Sequence, residues 1–177
     1  MKKAVLVNGV PASGKSSVAR ALADARGWAI LALDSIKEPF FDHLGIGDRE
    51  FNRKLGRASY QAMWSIVQDA PEGMTFIADA WFGFQSREVL QAHLSRAGVG
   101  MTAEIWCHAP PEVLVERYRT RLHLRHAGHP GEAFLPELDA LGRRAEPLRC
   151  GPMFDVDTTQ PLDRERLLGW VDGVLAG

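Results

Sequence analysis

The sequence predicts an α/β domain in which helices alternate with the strands of a parallel sheet. Short apolar runs bounded by turn residues recur along the chain, and most are followed by a segment with apolar residues at helical spacing. In addition, the first apolar run leads directly into a glycine-rich loop and a helix. That order is typical of parallel sheets that bind nucleotides at their carboxyl edge.

Five apolar runs are predicted as strands, at residues 3–8, 28–33, 74–80, 101–107 and 153–156. Helical spacing predicts helices at residues 15–26, 49–69, 86–97, 136–146 and 163–175, and one that begins at Pro110 and Pro111. Residues 123–136 show no sustained period and are predicted to form a mobile flap. Because ligands bind where parallel strands end, five strand-end residues are expected at one functional edge: Asn8, Asp34, Asp79, His108 and Asp157.

The composition indicates one folded domain that spans residues 1–177, with 46% hydrophobic residues and a formal net charge of −1. A dedicated nucleic-acid binder usually carries a strong basic excess, so no nucleic-acid partner is expected. No apolar run approaches the roughly 20 residues of a membrane helix, so no membrane partner is expected either. Cys107 and Cys150 lie far apart, without disulfide-scaffold or zinc-site spacing, which favours reduced thiols in a cytoplasmic protein.

The segment from Gly9 to Ser16 reads GVPASGKS and matches the Walker A pattern of a phosphate-binding loop, the P-loop. Its strand–loop–helix context argues against a chance glycine-rich turn. Lys15 is expected to reach the β- and γ-phosphates, and the Ser16 hydroxyl to ligate Mg²⁺. The pattern therefore predicts ATP and Mg²⁺ as cofactors, with a nucleotide-binding segment made of Gly9, Val10, Pro11, Ala12, Ser13, Gly14, Lys15, Ser16 and Ser17.

Two aspartates, Asp34 and Asp79, end the second and third predicted strands. Phosphoryl transfer needs one carboxylate to orient the acceptor hydroxyl and take its proton, and a second to hold the water shell of Mg²⁺. The alternative is that each aspartate caps the following helix. The pattern favours the catalytic interpretation and leaves open which aspartate has which role.

Three arginines, Arg117, Arg121 and Arg125, lie four residues apart, so on a continuing helix they would share one face. They lead into the irregular segment, which suggests a lid over residues 117–136. Arginines on such a lid stabilise the charge of the phosphoryl group in transfer, and we expect Arg121 and Arg125 to be catalytic. The alternative is a solvated arginine stripe.

Three histidines, His123, His126 and His129, follow at a spacing of three. Gly128 and Pro130 interrupt any helix there, and no cysteine is near. A zinc site is therefore disfavoured.

Six segments in order, GVPASGKS, LALDS, FIADAWF, WCHAPPEVLVERYRTR, RHAGHPG and VDTTQPLD, resemble the small P-loop kinases that phosphorylate hydroxyl groups of small molecules. Chloramphenicol phosphotransferase is the nearest named member, and shikimate kinase and gluconate kinase are more distant. The resemblance covers nearly the whole chain. It implies a three-layer P-loop kinase fold with a five-stranded parallel sheet, a central P-loop strand, helices on both faces and a lid.

The resemblance also implies roles for single residues. Asp34 matches the acceptor-side base, and Asp79 matches a ligand of the Mg²⁺ shell or of the substrate. The lid arginines fall on Arg117, Arg121 and Arg125, and the border of adenine falls on Thr158, Thr159 and Gln160. Shikimate kinases carry three glycines after the third strand. This chain has Asp79-Ala80-Trp81-Phe82 there, which argues against shikimate as acceptor.

The acceptor pocket is expected to be built from residues after the second and third strands. Trp81 and Phe82 are favoured as pocket residues together with Lys37, whereas Phe40, Phe41 and Trp64 fit a plain core equally well and Phe84 is a further candidate. The leading hypothesis is an ATP-dependent kinase acting on a small-molecule alcohol such as a sugar, an amino sugar or an antibiotic.

Two alternatives remain. A nucleoside or nucleotide kinase would use basic residues of the acceptor region to bind phosphate, namely Lys37, Arg49, Arg53, Lys54 and Arg57. A nucleotide-dependent switch is disfavoured because the chain contains no N-K-x-D motif for reading guanine.

Overall fold

The computed structural model describes residues 1–176 and contains one sheet of five parallel strands in the order β2-β3-β1-β4-β5. The strands are β1 (Lys2–Asn8), β2 (Ala29–Ala32), β3 (Thr75–Ala80), β4 (Val99–His108) and β5 (Met153–Asp157). The helices are α1 (Lys15–Arg26), α2 (Leu33–Leu44), α3 (Arg49–Asp69), α4 (Arg87–Arg96), α5 (Pro111–Thr120), α6 (Leu135–Arg144) and α7 (Arg164–Ala176). The predicted α/β fold, with the P-loop strand in the centre, is confirmed.

The central strand β1 is apolar on both faces because helices cover both faces of the sheet. Ala4 and Leu6 belong to one buried cluster, which includes Tyr60 of α3 and Leu90 of α4. Val5 and Val7 belong to a second cluster on the opposite face, formed with α1 and α7. A third cluster packs α5 and α6 beneath the P-loop. Both faces of the strand that precedes Gly9 are thus held by core packing.

Helix α2 is the element that the sequence pattern did not predict. It begins at Leu33, directly after β2 ends at Ala32, so no turn residues separate the two elements. Pro39 lies inside the helix, and Phe41 is its buried residue. A proline removes a helical donor and weakens helical periodicity, which explains why the helix is not visible in the sequence. As a result, Asp34 lies in the first helical turn and not at the end of β2.

The predicted flap contains two short 3₁₀ turns, Leu122–Leu124 and Glu132–Phe134. It is packed against the rest of the molecule. The Tyr118 hydroxyl donates to the Pro130 carbonyl at 2.6 Å, and Asn52 Nδ2 donates to the Gly128 carbonyl at 2.6 Å. A Cβ on Gly128 would lie 2.3 Å from the Phe41 ring, so a glycine lets the segment approach α2 closely. We refer to residues 121–134 as the lid segment.

Across residues 1–176, no helix combines the length and apolar character that crossing a membrane requires. Cys107 and Cys150 are both free thiols, as their spacing predicted.

Candidate active site

A cavity of about 920 Å³ opens at the carboxyl edge of the sheet. Its walls come from the P-loop, from α2 and α3, from the segment after β3, and from the lid segment with α6. Lys15, Asp34, Asp79, Trp81 and Arg125, which come from four separate parts of the chain, all line it. Of the five strand-end residues expected at this edge, Asp34 and Asp79 line the cavity, whereas Asn8, His108 and Asp157 do not.

The P-loop presents its backbone to this cavity between Pro11 and Ser17. Ala12 and Gly14 have positive φ angles of 65° and 85°, a left-handed conformation that turns successive N–H groups toward one point. Helix α1 then begins without a side-chain cap, which leaves its first N–H groups available to an anion. The loop therefore has the geometry to bind phosphate.

Three of the predicted nucleotide-binding residues, Gly9, Val10 and Ser13, shape the loop from below and do not line the cavity. A Cβ on Gly9 would lie 2.3 Å from Ser13 Oγ and 2.4 Å from the Cys107 carbonyl oxygen, so only glycine fits there. Val10 packs in the α5–α6 cluster, and Ser13 is fully buried. Close packing at Gly9 and the buried Val10 and Ser13 side chains hold the loop in place, and none of these side chains faces the cavity.

Asp79 is the buried carboxylate of the cavity, with 5% of the residue exposed. Burial raises its pKa, although Lys15 and the Ser16 hydroxyl favour the charged form. Its Oδ1 is buried without a hydrogen-bond partner, which is rare for a native carboxylate unless an ion or water completes the site. Oxygen ligands from Asp79 and Ser16 fit Mg²⁺, which usually combines one or two carboxylates with waters and substrate phosphates.

We expect Asp79→Asn to stabilise the nucleotide-free protein at neutral pH by about 0.5–2 kcal/mol. The folded-state pKa lies above the unfolded value, so the unfolded state ionises first as pH rises, and the fold loses stability over that range. The increase in the free energy of unfolding caused by Asp79→Asn should therefore be largest at pH 7 and become smaller toward pH 4. Urea unfolding at several pH values measures it, with exposed Asp24→Asn as control. A variant less stable than wild type at pH 7 would contradict the expectation.

Asp34 is the second carboxylate of the cavity, and 56% of its side chain is exposed. The N-cap of α2 is Ala32, and that cap has no side-chain hydrogen bond, so Asp34 does not cap its own helix. Its Oδ2 lies 4.0 Å from Arg125 Nη2. Lys37 follows on the same helix and donates to Asn52 Oδ1. Burial lowers the pKa of Lys37, an effect that Asp34 opposes and Arg125 increases.

The segment after β3 forms the aromatic wall of the cavity. Trp81 and Phe84 line it, and the Trp81 ring packs against Trp106 with 6.1 Å between centroids. Phe82 is 1% exposed and packs against Tyr60 in the core, so its assignment to the pocket is corrected. The chain turns through a 3₁₀ helix at Phe82–Phe84, in which residues three apart lie on the same side, so Trp81 and Phe84 face the cavity while Phe82 enters the core.

The remaining aromatic candidates lie outside the cavity. Trp64 is a core residue on α3, and Phe41 is buried beneath the lid segment, where it stacks on His126. Phe40 is half-buried and does not line the cavity.

Helix α3 contributes a polar face that the sequence suggested only in part. Arg49, Arg53 and Arg57, spaced by four, line the cavity with Asn52 and Gly56. Lys54, also predicted for this role, pairs instead with Glu50 at 2.9 Å. Several other lining residues were not predicted from the sequence, including Arg20, Asn52, Tyr118, Glu137 and Arg144. Helical spacing could have indicated Asn52, which lies three residues after Arg49 on α3.

The three predicted lid arginines all line the cavity, but they do not share one continuous helix. Helix α5 ends at Thr120, and the chain turns back so that Arg125 Cζ lies 4.7 Å from the centroid of the Tyr118 ring. Arg117 is held in place because Nη1 donates to Thr158 Oγ1 and Nη2 to the Thr158 carbonyl, each at 2.8 Å. The three arginines therefore meet at the cavity, but they do not form one face of a continuing helix.

Residues at the end of β5 lie beside the P-loop. A Cβ on Gly14 would lie 3.1 Å from Thr158 Cβ, so Thr158 packs against the loop. Thr159 donates to Asp157 Oδ1 through its backbone and its hydroxyl, and Gln160 is exposed. These side chains flank the cavity without lining it.

Two lid histidines contact acidic residues of α2. His126 Nε2 lies 2.9 Å from Asp42 Oδ1, and His129 Nε2 lies 2.8 Å from Glu38 Oε1. The Gly128 N–H donates to His126 Nδ1, so Nε2 carries the proton that is donated to Asp42. Within residues 1–176, no group of three or more potential metal-ligating side chains occurs. The histidines thus attach the lid segment to the helix that carries Asp34.

A sequence-family profile described as an AAA domain matches residues 5–148, most of the chain. The chain belongs to this AAA-domain family. A crystal structure of a candidate kinase from Chloroflexus aurantiacus is 29% identical to the AAA-domain protein described here, with a TM-score of 0.82 and coverage of 98% of each chain. No curated protein sequence matches the chain.

More distant structures share the fold of the AAA-domain protein. A gluconokinase from Sinorhizobium meliloti is 22% identical, with a TM-score of 0.61 and coverage of 98% of this chain and 91% of that one. A shikimate kinase from Acinetobacter baumannii, solved with shikimate, is 17% identical, with a TM-score of 0.56 and coverage of 99% and 93%. The AAA-domain protein therefore has a P-loop kinase fold, as the resemblance of its motifs implied.

In the AAA-domain protein, we expect Arg121→Ala and Arg125→Ala to slow phosphoryl transfer by about 10- to 1,000-fold while nucleotide affinity changes little. Both arginines line the cavity, whereas Arg119, near the end of α5, pairs with Glu116 at 2.7 Å and does not line the cavity. Arg119→Ala is the matched control. Single-turnover rates and nucleotide Kd values separate the two effects, and wild-type rates in both cavity variants would assign these arginines to the solvated surface.

Proposed function

We propose that the protein is an ATP-dependent kinase that transfers the γ-phosphoryl group to a hydroxyl of a small molecule. One observation carries the proposal: Asp34 faces the same cavity as Lys15 and Asp79, with Arg125 Nη2 4.0 Å from its carboxylate. A half-exposed carboxylate beside a phosphate loop is suited to orient an entering alcohol, and a buried carboxylate beside Lys15 is suited to the metal side.

The roles of the residues follow from this division. The backbone between Pro11 and Ser17 and the Lys15 ammonium hold the β- and γ-phosphates. Ser16 and Asp79 would hold Mg²⁺, which when bound neutralises phosphate charge. Asp34 accepts the hydroxyl proton as the alcohol oxygen attacks the γ-phosphorus, and the bond to the ADP oxygen breaks.

The lid supplies positive charge where charge develops in the transition state. In this proposal Arg121 and Arg125 contact the transferred phosphoryl group, while Arg117 supports the Thr158–Thr159 border of the adenine site. Residues 117–136, which comprise the end of α5, the lid segment and the start of α6, act together as the lid of one domain that spans residues 1–177. A cytoplasmic location would give such an enzyme access to ATP.

The acceptor is proposed to bind between α2, α3 and the aromatic wall. Trp81 and Phe84 offer flat apolar surfaces to a sugar ring or an aromatic group. Lys37 and Asn52, joined by a hydrogen bond, offer polar contacts near Asp34. A sugar, an amino sugar or an antibiotic-like alcohol matches this mixture of surfaces.

The charge of the cavity favours a second candidate, a nucleotide kinase or another kinase whose acceptor carries phosphate. Three carboxylates line the cavity, Asp34, Asp79 and Glu137, against ten lysines and arginines: Lys15, Arg20, Lys37, Arg49, Arg53, Arg57, Arg117, Arg121, Arg125 and Arg144. Arg49 pairs with Glu137 at 2.6 Å, whereas Arg53 and Arg57 form no ion pair within residues 1–176. Mg·ATP would neutralise part of this excess, and an anionic acceptor would neutralise more.

The deciding experiment measures ADP release from Mg·ATP with a panel of sugars, amino sugars, hydroxylated antibiotics, nucleosides and nucleoside monophosphates. Asp34→Asn serves as the blank. Stimulation by one neutral alcohol class, lost in the blank, supports the first candidate. Stimulation confined to phosphorylated acceptors, and weakened by Arg53→Ala or Arg57→Ala, supports the second. Tight nucleotide binding with no stimulation by any acceptor would contradict both and favour a nucleotide-dependent switch.

A further inference from the structure

A buried carboxylate outside the cavity has no role in the proposed chemistry. Glu104 lies in β4 and is 1% exposed. Its Oε1 accepts from Asn8 Nδ2 at 2.8 Å and from the Leu148 N–H at 2.9 Å, and its Oε2 accepts from the Arg149 N–H at 2.6 Å. A buried charge is costly unless it is fully hydrogen-bonded, and these three donors meet that condition.

Asn8 carries this network to the functional edge. It is fully buried, ends β1 and directly precedes Gly9 of the P-loop. Its Nδ2 donates to Glu104, and its Oδ1 accepts from the Phe82 N–H at 3.2 Å. Because Glu104 can only accept here, it fixes which way the Asn8 amide faces, and so keeps Oδ1 toward Phe82.

The Phe82 N–H lies in the aromatic wall of the cavity. The neighbours of Phe82 line the cavity: Trp81 on one side, Gly83 and Phe84 on the other. The Trp81 ring folds over Gly83, where an added Cβ would lie 2.3 Å from a ring carbon. A shift of the Phe82 backbone would therefore move the Trp81 ring.

We propose that Glu104 and Asn8 are positioning residues that hold the wall segment Trp81–Phe84 at a fixed distance from the P-loop. The proposal rests on the proposed function, in which this wall contacts the acceptor. Neither side chain touches a substrate. The network connects the end of β1, the wall after β3 and the loop at Leu148–Arg149, which follows α6.

The hydrogen bond between Asn8 and Glu104 can be broken by changing one partner, and restored by exchanging the amide and the carboxylate between the two positions. Asn8→Asp places two carboxylates against each other. Glu104→Gln replaces one acceptor oxygen by an NH₂ group, while the remaining amide oxygen can still accept from Asn8. In the double variant Asn8→Asp/Glu104→Gln, the new amide donates to the new carboxylate, whose other oxygen still accepts from the Phe82 N–H. Glu104→Gln and the double variant each lose one acceptor for a loop N–H, so Glu104→Gln controls for that loss, and Asn8→Asp is the single variant that breaks the contact with residue 8.

Three readouts test the proposal. In protein labelled with 5-fluorotryptophan, the ¹⁹F resonance of Trp81, assigned by its loss in Trp81→Phe, should shift or broaden in Asn8→Asp. The KM for the acceptor found by the ADP-release screen should rise about tenfold or more. The Kd of a fluorescent ATP analogue should stay within about twofold. The double variant should return the Trp81 resonance and the KM toward wild type.

Thr102→Val is the matched control because it removes the 3.0 Å bond from Thr102 Oγ1 to the Cys150 carbonyl in the same loop without touching Asn8. It should lower the melting temperature and leave the Trp81 resonance unchanged. If Asn8→Asp does not fold, Asn8→Ser breaks the network without adding charge. An unchanged Trp81 resonance in folded Asn8→Asp or Asn8→Ser, or a double variant worse than both single variants, would overturn the proposal. A screen that finds no acceptor would count against the proposed function alone, because the resonance is measured without one.

Discussion

Lys15→Ala is expected to reduce turnover to less than about one-thousandth of the wild-type rate. Lys15 lines the cavity at the start of α1, where its ammonium adds a full charge to the partial charges of the loop N–H groups. The positive charge of the Lys15 ammonium stabilises the γ-phosphate most strongly in the transition state, so kcat should fall much more than nucleotide affinity. Steady-state ADP release and equilibrium binding of a fluorescent ATP analogue measure the two quantities.

Lys54→Ala is the matched control for this prediction, because Lys54 is exposed and pairs with Glu50 outside the cavity. It should keep wild-type turnover. Retention of more than about a tenth of the wild-type rate in Lys15→Ala would show that the ammonium does not contact the transferred phosphoryl group.

Asp34→Asn is expected to lower kcat by about 10²- to 10⁴-fold while ATP still binds. The amide retains the size and much of the hydrogen-bonding geometry of the carboxylate but cannot take the hydroxyl proton. Arg125 Nη2 lies 4.0 Å from the carboxylate, so the base and a lid arginine face the same part of the cavity. Single-turnover rates with saturating Mg·ATP and acceptor measure the loss.

The control for Asp34→Asn is Asp24→Asn, an exposed position on α1 that does not line the cavity. It should leave kcat and nucleotide binding unchanged. Wild-type turnover in Asp34→Asn would remove Asp34 from the role of base and transfer that role to Asp79, the only other aspartate among the residues that line the cavity.

Helices whose apolar spacing and end signals lie in the adjacent sequence could be predicted from the sequence alone. Helices α1 and α3 run over Lys15–Arg26 and Arg49–Asp69, the ranges predicted from apolar spacing. Gly27 ends α1 in a left-handed conformation, and the Asp48 side chain accepts from the Phe51 N–H at the start of α3, so both helices have signals at an end. The P-loop was predictable for the same reason, since its residues are contiguous.

Features that depend on contacts between distant parts of the chain could not be predicted from the sequence. Helix α2 is stabilised by packing of Phe41 under the lid segment, which no local pattern reports. Phe82 and Trp81 are neighbours of similar character, and only the turn after β3 decides which one enters the core. The charged residue Glu104 within the apolar run 101–107 was a visible anomaly, but its three donors come from β1 and from the loop after α6.

The position of β5 and α7 has a consequence for biosynthesis. The phosphate loop precedes β5 and α7 in the sequence, yet one face of α1 packs in a cluster that includes Val156, Leu167 and Val171. Arg117 and Gly14 likewise meet Thr158. During translation, we therefore expect the loop to be held in its final conformation only after β5 and α7, which are synthesised later, have packed against the sheet and α1.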